Sequence, residues 1–143
     1  MSSQTDARES AIRWTDAFSV GVESLDQQHQ KLFAKVAELS RALSRGEGGT
    51  VVDSVLSDLA AYAKYHFADE EALMAQHDFP SLSSHRAAHE RFRKQIEGFL
   101  TEHRQGRVGV PAQLLMFIQS WLKEHVMHTD KQYSAFLHAR GVR

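Results

Sequence analysis

Apolar residues recur along this chain at alternating steps of three and four. Between about residues 24 and 44 the recurring positions are Leu25, His29, Leu32, Val36, Leu39 and Leu43, and between about 83 and 104 they are Leu82, His85, His89, Phe92, Ile96 and Phe99. The stretch from about 50 to 76 gives Val52, Val55, Leu59, Tyr62, His66, Glu70 and Leu73. The stretch from about 111 to 138 gives Leu114, Ile118, Trp121 and His125, with Leu122, Val126 and Tyr133 on its flank. Such steps are the 3.6-residue period of a helix that turns one face to a core. No segment alternates with period two over a useful length, which argues against a sheet. The glycines gather between these stretches, Thr50 and Ser83 read as N-caps, and Pro111 suits a first helical turn. Four long helices with short connections predict an all-α protein, an antiparallel up-down-up-down four-helix bundle over residues 23–143. Residues 1–22 form an N-terminal arm whose Trp14, Phe18 and Val20 are expected to pack over the bundle.

Composition narrows the chemistry. A chain of 143 residues suits one domain with a single core. Its net charge of -1 supplies no basic excess for nucleic acid. The start, MSSQTDARES, lacks the basic and apolar regions of a secretory signal, and no run approaches the roughly 18 apolar residues of a membrane helix. A cytoplasmic, monomeric protein is expected. Without cysteine there is no disulfide, thiol catalysis or thiolate metal site, so any metal must be held by nitrogen and oxygen.

Histidine departs from the ordinary pattern: there are nine, and five of them interrupt the four apolar seams. His66 with Glu70, and His85 with His89, are four apart and so share a helix face one turn apart. Asp130 lies five beyond His125, a rotation of about 140°, which predicts a group at the far edge of the inner face reaching a different point. In an up-down-up-down bundle, early positions of helices one and three meet late positions of helices two and four. His29, His66, Glu70, His85, His89, His125 and Asp130 therefore converge at one end of the core. Buried and unpaired, each would cost on the order of 1 to 3 kcal/mol, and metal coordination removes that cost. Seven ligands exceed a structural zinc site, and imidazoles with hard carboxylates suit a pair of first-row ions such as iron. Two carboxylates could bridge such a pair while five histidines cap it. The competing reading is a histidine-rich, hydrogen-bonded core.

The other candidates read as ordinary structure. His77, His103 and His138 fall near helix or chain ends and are expected at the surface or as caps. His128 is assigned a role behind the ligands or at the surface, and Met74, Met116 and Met127 are read as filler and not as ligands. In the DEE run at 69–71, Glu70 is the inward group and its neighbours are expected in solvent.

The stretches LDQQHQKLF, HFADEEALM, HRAAHERF and WLKEHVMHTD resemble the hemerythrin family, specifically its single-domain bacterial members, over about residues 14 to 133. The resemblance implies a non-haem di-iron centre with a bridging oxo or hydroxo group. It implies His85, His89 and His125 on one iron, His29 and His66 on the other, and Glu70 and Asp130 bridging. Reversible dioxygen binding for carriage, storage or sensing is expected, end-on at the two-histidine iron, with Trp121, Leu122 and Val126 walling the pocket. The first dozen residues and the loop at 45–50 depart from the family pattern. The alternative is a di-iron oxidase or peroxidase on the same bundle. Ligands richer in imidazole than in carboxylate favour reversible chemistry over oxidation.

Overall fold

In the computed structural model the chain is described over residues 12–142, with Met127, His128 and Thr129 described by backbone alone. Residues 1–11 of the arm and the side chains of Met127 and His128 thus lie outside the described residues. A short 3-10 turn, Asp16–Phe18, leads into α1 (Glu23–Ser44), α2 (Gly48–Gln76) and α3 (Leu82–Arg104). The fourth helix is built of α4 (Val110–Trp121), a π-helical stretch (Leu122–Thr129) and α5 (Asp130–His138). No strand occurs among the described residues, and none of the helices is long and apolar enough to cross a membrane.

Helix ends follow local backbone chemistry. α1 closes at Gly46, whose φ of 70° is the left-handed value that lets Glu47 N–H reach the Ala42 carbonyl at 2.7 Å. The same closure after α2 uses Asp78 at φ 57°, with Phe79 N–H on the Met74 carbonyl at 2.9 Å. Two helices start earlier than the expected caps. Glu47 and Ser81 hold the N-cap positions of α2 and α3, neither with a side-chain cap. Thr50 instead donates its hydroxyl to the Glu47 carbonyl at 2.7 Å. Gly48 begins α2 because a Cβ there would stand 2.9 Å from Leu43 Cδ2 and 3.0 Å from Pro111 Cβ. Pro111 occupies the first turn of α4, as its fixed φ favours.

Two apolar clusters fill the bundle. The larger includes Leu32, Phe67, Phe92, Ile118 and Val126, and the smaller closes one end with Val20, Leu25, Met74, Phe79, Tyr133 and Leu137. Every helix crosses from one cluster to the other through the polar seam positions. α1 passes from Leu25 through His29 to Leu32, and α2 from Phe67 through Glu70 to Met74. The polar layer therefore has an apolar lid and an apolar floor, and water is kept from both sides. From the arm, Trp14 and Phe18 meet Phe33 with ring centroids at 5.6 and 4.7 Å. Val20 N–H donates to Asp26 Oδ1 at 2.8 Å, and His138 Nε2 to the Gly21 carbonyl at 2.9 Å, so His138 ties the arm to α5.

Candidate metal centre

All seven side chains expected in the centre are buried: His29, Glu70, His89 and Asp130 expose none of their surface, His66 and His85 1%, and His125 4%. They form two triads whose ligand atoms lie within 4.8 Å of one another, His29 with His66 and Glu70, and His85 with His125 and Asp130. Each triad carries one carboxylate; Asp130 also faces a histidine of the other triad, and Glu70 also faces His89. Asp130 sets Oδ1 at 2.9 Å from His125 Nε2 and 3.1 Å from His85 Nε2, while its Oδ2 stands 3.5 Å from His29 Nε2. Glu70 Oε1 touches His66 Nε2 and lies 3.9 Å from His29 Nε2 and 4.0 Å from His89 Nε2. His89 stands outside both triads and reaches the centre through that last approach.

Asp130 corrects the sequence expectation. At 100° per residue it belongs across the inner face from His125, yet the two side chains meet. The reason is the π-helical stretch. Asp130 N–H bonds to the His125 carbonyl, five residues back, and this wider turn brings residue i+5 under residue i. One carboxylate oxygen then faces His125 and His85, which leaves the other free to point at His29.

Groups behind the imidazoles fix their rings. His66 Nδ1 donates to Gln28 Oε1 at 2.5 Å, and Gln28 Nε2 donates in turn to Asp69 Oδ2 at 2.8 Å. His89 Nδ1 donates to Glu71 Oε2 at 2.8 Å. Since a carboxylate accepts only, these bonds place the proton on Nδ1 and aim the Nε2 lone pair inward. Asp69 is in solvent as expected and orients Gln28 from there, whereas Glu71, also expected in solvent, is half-buried and holds a ring of the centre. Tyr133, read as a flanking core residue, donates its hydroxyl to Glu70 Oε2 at 2.5 Å. Helical period cannot reveal these partners, because each bond joins two helices and depends on how they are rotated against each other. Aromatic faces complete the clamp: Phe67 lies on His89 at 3.8 Å, Trp121 on His125 at 4.3 Å and Tyr62 on His66 at 4.9 Å, all within 22° of parallel. Leu122 and Val126, expected with Trp121 beside the centre, are fully buried in the larger cluster.

The electrostatics are those of ionised acids held by imidazoles. Burial pushes the Glu70 carboxyl up, but His66 and His29 outweigh it and hold it well below the usual range. Burial and the neighbouring Glu70 likewise oppose the Asp130 charge, and His125 and His85 reverse the balance downward. Burial works against charged His29 and His125, yet the carboxylates raise both. Burial lowers His89. Six atoms facing one another still have no hydrogen-bond partner among the described residues: Nε2 of His29, His66, His89 and His125, Oε1 of Glu70 and Oδ2 of Asp130. A layer of buried lone pairs without donors fits a cation set between them, and nitrogen with carboxylate oxygen is the donor set of first-row divalent ions.

Comparison with known proteins agrees with this geometry. The Hemerythrin HHE cation binding domain matches residues 20–137. A bacteriohemerythrin of Clostridium acetobutylicum is 29% identical over 126 residues, spanning 84% of this chain and 96% of that protein. A hemerythrin-like protein of Naegleria gruberi is 30% identical over 128 residues, 90% of this chain and 95% of its own length. The myohemerythrin of Riftia pachyptila is 30% identical over 124 residues, 87% of this chain and 92% of its own. The polar layer between two apolar clusters, with its two facing triads, is thus carried on a chain that belongs to the hemerythrin family.

Proposed function

We propose that this protein holds two iron ions and binds dioxygen reversibly, for carriage, storage or sensing. The observation that carries the reading is the pair of triads, each with one carboxylate, Asp130 reaching across to His29 and Glu70 to His89. His29 and His66 hold one ion, His85, His89 and His125 the other, and Glu70 and Asp130 join them. His29 and His66 would give their ion fewer protein ligands than the facing three histidines give theirs, so dioxygen would be taken up at that end. When bound, the iron pair supplies the electrons that dioxygen takes up and returns.

The chain's own groups serve that exchange by holding geometry and excluding water. Gln28 and Glu71 keep the Nε2 lone pairs of His66 and His89 aimed inward, and Tyr133 fixes the outer oxygen of Glu70. Trp121, Leu122 and Val126 wall the pocket, and their apolar surface keeps proton-donating water from it. The test is anaerobic reduction of the iron-loaded protein followed by air, with the visible spectrum recorded. A new absorption that reverses on argon purging is the expected result. Irreversible bleaching with release of peroxide would instead make the protein a redox enzyme.

A further inference from the structure

One buried polar group outside the seven lies beside the centre. Among the described residues the side-chain atoms left buried and unpartnered all belong to the proposed ligands, with a single exception, the hydroxyl of Tyr62. Its ring lies face to face with His66, 22° from parallel at 4.9 Å, which fixes it beside the triad of His29, His66 and Glu70. The other edge of the ring is half-buried and lines a groove of about 370 Å³ between α1 and α2, shared with Gln28, Lys31, Tyr65 and His66. Tyr62 is therefore the partition between solvent and the two-histidine end of the layer. A phenol buried without a partner is costly, and a ligand acceptor arriving beside His66 would remove that cost.

We propose that the Tyr62 hydroxyl donates a hydrogen bond to the exogenous ligand held beside His29 and His66, and that the adjoining groove is the route by which that ligand arrives. The inference rests on the di-iron reading above. It concerns a residue that touches the ligand and no metal.

Azide, a small anion with a readable stretching vibration, is the probe. It is titrated by visible absorption into the diferric, iron-loaded protein and into Tyr62→Phe, with the azide stretch compared in H2O and D2O. The expected result is binding about tenfold weaker in the variant, together with loss of the solvent-isotope shift seen in the parent. Iron content should be unchanged. The melting temperature of the metal-free variant should match or exceed that of the metal-free parent, because the hydroxyl has no protein partner to lose. Equal azide affinity with equal isotope shifts overturns the proposal, as does a metal-free Tyr62→Phe that melts well below the parent. A parent protein that loads no iron or binds no azide would instead defeat the di-iron reading, and the tyrosine's role with it.

Discussion

Stripping the metal should remove a large share of the protein's stability. Six buried atoms at one level of the core have no hydrogen-bond partner among the described residues: Nε2 of His29, His66, His89 and His125, Oε1 of Glu70 and Oδ2 of Asp130. An unmet buried polar group costs about 1 to 3 kcal/mol, and water entering the emptied layer would satisfy part of the need. Even at the low end, six atoms cost about 6 kcal/mol, against about 5 to 15 kcal/mol for the whole stability of a typical domain. For a chain of this size 1 kcal/mol moves the melting temperature by about 3 to 4 °C, so the metal-free protein should melt about 20 °C lower. The assay is thermal unfolding followed by far-ultraviolet circular dichroism, with iron-loaded and chelator-stripped samples at the same pH and concentration. Binding energy for a site absent from the unfolded chain is folding energy, so the shift should grow with free metal. Melting temperatures within about 3 °C of each other would refute the reasoning, because the polar layer would then be satisfied without a cation. A metal assay on the same samples should find close to two ions per chain.

Two substitutions separate the roles within the layer. Glu70→Gln should release iron from both positions, since Oε1 of Glu70 lies within 4.0 Å of Nε2 on His29 and on His89, whereas His29→Ala should leave about one ion in place. Elemental analysis decides, and the same loss in both variants would refute the assignment. Leu122→Ala opens space on the helix that carries His125 at a cost of about 2 to 5 kcal/mol in stability. It should speed conversion of the oxygenated protein to the ferric form several-fold while changing oxygen affinity less, and an unaltered rate in a folded variant would mean that Leu122 does not shield the pocket.

The apolar period by itself determined the helices and the end of the bundle at which the polar residues meet. Residues such as Leu25, His29 and Leu32 can share a face only on a helix, and the alternation of helix direction brings early positions beside late ones. Burial of all seven residues follows from that pattern, because each replaces an apolar residue in its seam. What the sequence could not supply was phase. The period assumes 100° per residue, and a single π-helical stretch changed the relation of Asp130 to His125 from opposed to adjacent. A backbone register of this kind is settled by the packing of Leu122, Val126 and Tyr133 against neighbouring helices, none of it written in local spacing. The bonds from His89 to Glu71, from His66 to Gln28 and from Tyr133 to Glu70 depend in the same way on rotation between helices. The start of α2 also depends on tertiary contact: Gly48 packs closely against Leu43 and Pro111, and Thr50 donates to the Glu47 carbonyl inside the first turn. Tyr62 shows the limit most plainly, since period reads it as one more core position, and only the assembled bundle stacks its ring on His66 and leaves its hydroxyl buried without a partner among the described residues.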